Sequence, residues 1–177
     1  MAMNGRSARG EQSSERREQI ISIAAHLISQ RGYSATTVRD IADEAGILSG
    51  SLYHHFASKE AILQEILRTF MTELFARFEQ IVAESEGPRE TLDRLIEHAF
   101  ATIVSNPDAV GLYQNESSFL ATQPGFEFLQ EDSVRVEALW LEQIREGQRV
   151  GVFRDTIDAP VAYRFIRDSV WSTVGWY

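Results

Sequence analysis

Residues 50–56 concentrate small and hydrogen-bonding side chains in a segment with little apolar surface. Leu52 and Phe56 are its clear apolar anchors, and their i, i+4 spacing suits the buried side of a short helix. The rest of that helix is then free for contacts outside the fold. Small residues let a helix backbone approach a DNA groove closely, while hydroxyl and imidazole groups can hydrogen-bond phosphates or base edges. The residues that give this prediction are Gly50, Ser51, Tyr53, His54 and His55.

A helix and a tight turn precede this segment and would position it. Thr37 suits an N-cap, and an apolar stripe with helical spacing follows at Val38, Ile41, Ala42 and Ala45. Gly46 comes directly after that stripe, where a glycine tolerates the left-handed conformation of a sharp turn. Ile47 and Leu48 are expected to plug the turn with apolar side chains. A helix, a glycine turn and a polar second helix are the parts of a helix-turn-helix.

Caps and cations complete the predicted DNA-binding surface. Ser49 is expected to cap the second helix, and Ser58 a further helix that begins at Lys59. Arg39 is the one long cation on the outer side of the first helix, so it can reach a guanine or a phosphate. Lys59, the only lysine of the chain, is expected to donate to a flanking phosphate. The segment would thus combine base contacts with phosphate contacts.

Arg167 and Trp171 form a second pair that suits a small-molecule site. They are i, i+4 neighbours on the last predicted helix, and Arg164 lies three residues earlier. A guanidinium beside an indole would bind a ligand that is anionic at one point and flat or apolar elsewhere. The alternative is that Trp171 packs in a dimer interface and Arg167 pairs with an acid across the helix bundle. Further candidates are the polar pair Tyr113 and Gln114 and the aromatic walls Phe75, Phe78, Phe119 and Trp140, although each aromatic residue also suits plain core.

The composition excludes several classes of site. The 177 residues contain no cysteine, so a disulfide, a thiolate metal site and a cysteine nucleophile are all excluded. No apolar run approaches the roughly 20 residues that span a bilayer, and the N-terminus lacks the apolar core of a signal peptide. We therefore expect a cytoplasmic protein with no membrane partner and no metal.

The net charge of −9 is distributed unevenly along the chain. Residues 1–60 carry seven cations and seven anions, whereas residues 61–177 carry ten cations and nineteen anions, which accounts for the whole −9. A neutral head can approach DNA while an acidic body limits non-specific binding. Near the N-terminus, arginines would either reach the phosphate backbone or belong to a disordered tail, and these are Arg6, Arg9, Arg16 and Arg17.

Apolar periodicity predicts an all-α fold of about eight helices without a sheet. We expect a flexible arm over residues 1–16, a three-helix head with the helix-turn-helix over 17–60, and a helical body over 61–177. The body would contain the effector site and the dimer interface. The predicted helices other than the helix-turn-helix pair cover 17–31, 59–83, 88–105, 110–120, 126–148 and 158–177.

The head closely resembles that of TetR-family transcriptional repressors over about forty residues. The resemblance rests on Thr37, Arg39, Ile41, Ala42, Ala45, Gly46, Leu48, Gly50, Leu52, Tyr53, His55, Phe56 and Lys59. It implies a homodimer whose two heads bind a pseudo-palindromic operator, and a helical body that binds a small effector and then releases DNA. By that resemblance His55 belongs to the packing of the head. The positions it makes DNA-facing are Thr37, Arg39, Ser49, Gly50, Ser51, Tyr53, His54 and Lys59.

The chain as a whole resembles a narrower group, the actinobacterial TetR-type repressors of late, ring-opening steps in sterol catabolism. This second resemblance rests on GILSGSLYHHFASKE, YRFIRDSVW and the final WY. It implies an effector that is a CoA thioester of a steroid-ring degradation intermediate, and it favours the ligand role for Arg167 and Trp171. The CoA phosphates would then need cations near the mouth of the pocket, for which Arg135, Arg145 and Arg149 are candidates.

Two other function classes compete with a regulator. A helical enzyme is disfavoured because the chain has no Glu-x-x-His or His-x-x-x-His spacing and no Gly-rich phosphate loop. A helical adaptor that binds only protein would fail to shift its own promoter DNA. The family usually ends with two long helices that form the dimer's four-helix bundle, whereas this sequence stops partway along the first. Either the sequence is trimmed or the dimer interface is short.

Overall fold

The computed structural model describes the backbone of residues 4–174 and the side chains of residues 13–174. Within that range the chain forms eight helices and no strand, which confirms the all-α prediction. The chain divides into two compact units, unit 1 over Met1–Leu67 and unit 2 over Arg68–Tyr177. The helices are α1 Asn4–Arg31, α2 Val38–Glu44, α3 Ser49–Leu52, α4 Lys59–Glu84, α5 Pro88–Ser105, α6 Pro107–Leu120, α7 Phe128–Arg149 and α8 Ala159–Trp171.

Three helix limits differ from the sequence prediction by three residues or more. α6 begins at Pro107 rather than at residue 110, because a proline suits the first turn of a helix. α1 begins at Asn4 rather than at residue 17, so part of the predicted flexible arm is helical. Residues 4–16 contain no proline, and their Arg, Glu, Gln and Ala residues favour a helix, while Gly5 and Gly10 oppose it. α8 ends at Trp171, whereas the helix was expected to reach Tyr177. The Thr173 hydroxyl donates to the Val170 carbonyl, a local bond that competes with helix continuation, and residues 175–177 lie outside the described range.

Unit 1 has an apolar core built from helical stripes. Ile20, Ala24 and Ile28 of α1 are fully or almost fully buried, and so are Ile41 of α2 and Leu52 of α3. The first turns of α4 add four more buried residues to unit 1, Ile62, Leu63, Ile66 and Leu67. This is why the division between the units falls later in α4 than the predicted limit at residue 60.

Unit 2 consists of the rest of α4 and the four helices that follow. α5, α6 and α8 each have a proline in their first turn, where a missing N–H costs no hydrogen bond. α5, α7 and α8 contact one another and bury Leu95, Trp140, Ile144, Tyr163 and Val170. The packing brings residues of all five helices around one cavity, described below.

Gly147, near the end of α7, lies where no side chain fits. A Cβ added there would lie 2.1 Å from Cδ2 of Phe153 and 2.3 Å from its Cε2. The N–H groups of Val152 and Phe153 both donate to the Gly147 carbonyl, at 2.9 and 3.0 Å, which keeps the ring over the glycine. The turn between α7 and α8 therefore depends on this glycine.

We expect Gly147→Ala to lower the free energy of unfolding by about 2 kcal/mol, because overpacking forces the Phe153 ring or the backbone to move. Denaturant unfolding measures the change. Gly50→Ala is the matched control, since Gly50 also lies within a helix and a Cβ there would meet nothing within 4 Å. Equal unfolding midpoints for the two variants would contradict the prediction.

Candidate nucleic-acid interface and ligand cavity

The turn between α2 and α3 has the geometry that the sequence predicted. Gly46 adopts φ +65°, the left-handed conformation that favours glycine. The N–H of Ile47 donates to the Ala42 carbonyl at 2.9 Å, and the N–H of Gly46 donates to the Asp43 carbonyl at 3.1 Å. These bonds close α2 and direct the chain into α3, so Gly46 sets the angle at which α3 leaves the turn.

A capping box starts α2. The Thr37 hydroxyl accepts the N–H of Asp40 at 3.1 Å, and the Asp40 carboxylate accepts the Thr37 N–H at 2.7 Å. The hydrogen bonds from the Thr37 side chain and backbone lower the pKa of Asp40. Thr37 is exposed but its hydroxyl also donates to Asp40 at 2.5 Å, so its main structural task is to hold the start of α2.

The polar residues of α2 and α3 form one largely exposed surface. The Arg39 side chain is 84% exposed, and its one ion pair among the described residues is an i, i+4 pair with Asp43 at 3.6 Å. On and after α3, Gly50, Tyr53 and His54 are exposed, while Leu52 is fully buried. Nothing lies within 4 Å of a Cβ built at Gly50. The surface is open to an external partner, and below we call it the head surface, comprising Arg39, Ser49, Gly50, Ser51, Tyr53 and His54.

Two details of the turn differ from the prediction. Ser49 is the first residue of α3 and not its cap, because Leu48 occupies the N-cap position with extended φ −72° and ψ 143°. Leu48 does not plug the turn either: it is 79% exposed, and the buried apolar residues here are Ala45 and Leu52. By contrast, Ser58 caps α4 as predicted, since its hydroxyl accepts the Ala61 N–H at 3.2 Å.

Lys59 has partners inside unit 1, and its role as a DNA contact stays a prediction. Its ammonium donates to the carbonyls of Tyr33 and Thr36, at 2.6 and 2.7 Å, and lies 4.0 Å from the centre of the Tyr33 ring. The neighbouring Glu60 accepts the Tyr33 hydroxyl at 2.5 Å, and this bond lowers the pKa of Glu60. The start of α4 is thereby tied to the loop before α2.

We expect Lys59→Met to lower the free energy of unfolding by about 1–2 kcal/mol, because two carbonyls lose a charged donor. The slope of log DNA affinity against log salt should stay unchanged, since no phosphate contact is lost. Thermal unfolding and binding at several salt concentrations measure both. A shallower salt slope with unchanged stability would instead make Lys59 a phosphate ligand.

The described arginines near the N-terminus also bind unit 1. Arg16 donates to the Ala45 carbonyl at 2.8 Å, which supports the C-terminus of α2. Arg17 pairs with Glu65 and lies 4.4 Å from the centre of the Phe56 ring. These contacts give both residues a packing role in place of the predicted choice between DNA contact and disorder. The side chains of Arg6 and Arg9 lie outside the described range.

A cavity of about 60 Å³ lies among the helices of unit 2. Its walls are mostly apolar, and its polar or cationic lining groups are Thr102, Tyr163, Arg167 and the two indoles of Trp140 and Trp171. The volume suffices for a few water molecules and not for an acyl group or a fused ring. An acyl group or a fused ring would enter only if side chains that line the cavity moved. The other lining residues are Phe70, Leu74, Phe78, Ala99, Ile103, Val110, Val136, Ile166 and Val170.

Two neighbouring residues of α6 hold Trp171 at the cavity. Gln114 donates from Nε2 to the Trp171 carbonyl at 3.2 Å. The Tyr113 ring lies 5.9 Å from the Trp171 ring and also 5.9 Å from the Phe70 ring. Tyr113 and Gln114 therefore position the indole, and neither is among the residues that line the cavity.

Arg167 lies at the edge of the same cavity. Its side chain is 41% exposed, and its guanidinium pairs with Asp168, from Nη2 at 2.8 Å. It lies 5.7 Å from the centre of the Tyr163 ring, and Tyr163 in turn lies 6.3 Å from Trp140. Burial raises the pKa of Tyr163 to about 12, so its hydroxyl remains protonated. A half-exposed cation at an apolar cavity suits an amphipathic anion with its charge at the mouth.

The structure brings together four of the nine predicted ligand residues as lining, namely Phe78, Trp140, Arg167 and Trp171. Arg164 is exposed on another face of α8, in a surface groove with Val161 and Phe165. Phe119 is 55% exposed, and Phe75 lies beneath Arg135 at 4.0 Å. Arg167 and Trp171 line the cavity, whereas the exposed side chain of Arg164 does not.

Sequence reasoning missed two polar groups of the cavity region. Tyr163 is i−4 from Arg167, and Trp171 is i+4, so the three share one face of α8 and the spacing could have revealed it. Thr102 donates to the His98 carbonyl at 2.9 Å, and its hydroxyl lies 3.3 Å from His98 Nε2. Burial, with a smaller effect of Arg77, lowers the pKa of His98. No sequence pattern marked Thr102, because it belongs to an ordinary apolar stripe.

The candidate phosphate-binding cations on α7 differ in their partners. Arg135 pairs with Asp132 at 3.2 Å, and Arg149 pairs with Glu146 at 2.6 Å. Arg145 is exposed, and no acid among the described residues pairs with it. Of these three arginines, Arg145 is therefore the one whose charge no described acid neutralises. Within residues 4–174 no helix is long and apolar enough to cross a membrane, and no cluster of His, Asp and Glu could hold a metal ion.

Each of the two units contains a segment that matches a known protein family. Residues 20–66 match the family described as bacterial regulatory proteins, tetR family, and residues 85–177 match the family described as tetracyclin repressor-like, C-terminal domain. The first match includes the helix-turn-helix with Gly46, and the second includes every lining residue of the cavity that lies on α5 to α8.

Individual proteins are similar over nearly the whole chain. The HTH-type transcriptional repressor KstR2 of Mycobacterium tuberculosis strain H37Rv is 44% identical, over 94% of this chain and 83% of the relative. KstR2 of Rhodococcus jostii is 45% identical, over 93% of this chain and 80% of the relative. The solved structure of the ketosteroid transcriptional regulator KstR2 of Mycobacterium tuberculosis superposes with a TM-score of 0.90, covering 92% of this chain and 83% of that one.

Proposed function

The chain belongs to the TetR family of transcriptional regulators, and we propose that it is a repressor released from its operator by a CoA thioester of a steroid degradation intermediate. Such a regulator works in the cytoplasm, where bacterial DNA lies. The observation that carries the proposal is the cavity of unit 2, where Arg167 and Trp171 adjoin apolar walls. The 44% identity to KstR2, whose structure is that of a ketosteroid regulator, supports the steroid-derived class.

The head surface is the proposed DNA contact. Arg39 is long, cationic and 84% exposed, so it can reach a guanine edge or a phosphate at low conformational cost. Gly50 leaves the backbone of α3 open to close approach, and Tyr53 and His54 add exposed donors. Thr37 supports this surface through its capping box with Asp40. Lys59 is left out of the DNA-contacting set because its ammonium is already bound to two carbonyls.

The effector chemistry follows from the polarity of the cavity. An acyl group would enter among the aromatic and aliphatic walls, while the negative charge of the CoA portion would remain near Arg167. Exposed Arg145 is the α7 cation most available to a CoA phosphate. The cavity of about 60 Å³ must widen for this, and half-buried Trp171, at the end of α8, is the side chain best placed to move.

Ligand binding controls DNA binding only through a difference in affinity. The effector must bind the DNA-incompetent state of the protein more tightly than the DNA-competent state. The proposal therefore assigns the closed cavity, which excludes the acyl group, to the DNA-competent state and the open cavity to the DNA-incompetent state. The effector then shifts the population away from the DNA-bound form.

A mobility-shift experiment with DNA from upstream of the chain's own gene tests this function. The panel comprises free CoA, acetyl-CoA, octanoyl-CoA, palmitoyl-CoA, free steroid-ring acids and the CoA thioesters of those acids. We expect only the steroid-derived thioesters to release the DNA at low micromolar concentration. Release by octanoyl-CoA or palmitoyl-CoA alone would make the chain a sensor of another acyl-CoA, and failure to bind any upstream DNA would favour a protein-binding adaptor.

We also propose that the chain acts as a homodimer, as TetR-family regulators typically do. α8 has an outward face where Phe165 is 71% exposed and Val161 is 42% exposed. An apolar face of this kind on a helix is normally covered by another surface. A second copy of α8 would cover it symmetrically.

Phe165→Asp should convert the dimer to a monomer, because each interface would then contain two buried charges. Sedimentation velocity measures the change. Val134→Asp is the control, since Val134 is 54% exposed on α7 and does not line the surface groove that contains Val161 and Phe165. A Phe165→Asp protein that still sediments as a dimer would refute the assignment of this face.

A further inference from the structure

Leu48 is the most exposed large apolar side chain of the described residues. It is 79% exposed, ahead of Phe165 at 71%, and it lies between the Gly46 turn and α3. The apolar core beneath it is complete without it, because Ala45 and Leu52 are buried there. The packing of unit 1 therefore gives no reason for a leucine at this position.

The local helix chemistry disfavours leucine as well. Leu48 occupies the N-cap position of α3 and makes no side-chain capping bond. Serine, threonine, asparagine or aspartate would accept an N–H from the first turn, and leucine is among the poorest residues at an N-cap. Water around the exposed methyl groups adds a second cost. Both effects lower the stability of the folded protein. A leucine here therefore points to a contact that unit 1 does not make by itself.

We propose that Leu48 contacts the 5-methyl group of a thymine in the major groove and so sets a thymine preference at one operator position. Leu48 immediately precedes the α3 residues of the head surface, beginning with Ser49 and Gly50, so it reaches the groove whenever α3 does. The thymine methyl is the apolar group that the major groove presents. The inference rests on the proposed DNA-binding function.

The apolar character of leucine supports a thymine methyl group as its partner. Leucine has no donor for a phosphate, so a backbone contact would gain little from it. Arg39 and His54 provide the polar contacts of the same surface. An apolar side chain at the start of α3 adds the one kind of base contact that they cannot make, which is recognition of a methyl group.

Removal of the thymine methyl groups tests the contact without knowledge of the operator. The upstream fragment is amplified once with dTTP and once with dUTP, so that the second fragment lacks every 5-methyl group but retains its base pairing. Dissociation constants are then measured for the wild type and for Leu48→Ala on both fragments. We expect the wild type to bind the uracil fragment about tenfold more weakly, from roughly one buried methyl group in each half-site.

Leu48→Ala should bind the thymine fragment about tenfold more weakly than the wild type and should lose little more on the uracil fragment. An equal uracil penalty for both proteins would overturn the inference, because the methyl groups would then act elsewhere. Wild-type affinity of Leu48→Ala for thymine DNA would also overturn it. If the wild type binds neither fragment, the proposed DNA-binding function fails, which is a distinct outcome.

Leu48→Ser separates DNA contact from folding. Serine supplies the missing cap, so we expect a higher melting temperature together with weaker binding to thymine DNA. A variant that is less stable and weaker in binding would indicate a packing role and would contradict the inference. Val104→Ala is the control, since Val104 is 58% exposed on α5 and should leave both fragments bound as by the wild type.

Discussion

Trp171→Ala is expected to raise the effector concentration for half-release of DNA by about 30-fold or more, the effect of losing a buried aromatic anchor worth about 2 kcal/mol. The indole lines the cavity, and Gln114 and Tyr113 hold it there. DNA affinity without effector should remain that of the wild type, because Trp171 belongs to unit 2. A mobility shift titrated with the effective compound of the panel measures both quantities.

Phe119→Ala is the matched control for this variant. Phe119 is also an aromatic residue of unit 2, but it is 55% exposed and does not line the cavity. Its response to the effector should equal that of the wild type. If both variants respond like the wild type, the effector binds somewhere other than this cavity.

Arg39→Ala is expected to weaken DNA binding by about 10- to 100-fold, since a lost guanine or phosphate contact costs about 1–3 kcal/mol. Within the part of the chain whose side chains are described, Arg39 makes a single ion pair, to Asp43 at 3.6 Å, and both side chains are largely exposed. Stability should change little, because exposed pairs of this kind contribute about 0.3–0.5 kcal/mol. Fluorescence anisotropy with labelled upstream DNA measures the affinity.

Arg89→Ala provides a close control for Arg39→Ala. Arg89 also begins a helical i, i+4 pair with an aspartate, Asp93 at 3.0 Å, and its side chain is 70% exposed. It lies in unit 2, so its removal changes the net charge equally without touching the head surface. Equal losses in affinity for the two variants would show a general charge effect and would contradict a specific contact by Arg39.

Local rules predicted the helix-turn-helix well. Thr37, Gly46 and Ser58 act through their own backbone neighbours, so their capping and turn roles follow from residue type and spacing. The limits of α5 were also predicted, because Pro88 can begin a helix but cannot lie within one. These features require no knowledge of tertiary structure.

Tertiary contacts explain what the sequence could not predict. The sequence did not predict the partners of Lys59, which are carbonyls more than twenty residues earlier. It also placed Leu48 in the turn as an apolar plug, whereas the core closes without that side chain. The ligand candidates show the same limit. Trp140 and Trp171 line one cavity and Phe119 does not, because side-chain type alone cannot tell a cavity wall from an exposed ring.

The most direct test of the regulatory switch measures the coupling between effector and DNA in both directions. The dissociation constant of the effective acyl-CoA is determined with free protein and with protein saturated by upstream DNA, and that of the DNA is determined with and without acyl-CoA. Thermodynamic linkage requires one common factor, which we expect to exceed about tenfold. Equal acyl-CoA affinity for the free and the DNA-bound protein would contradict the account.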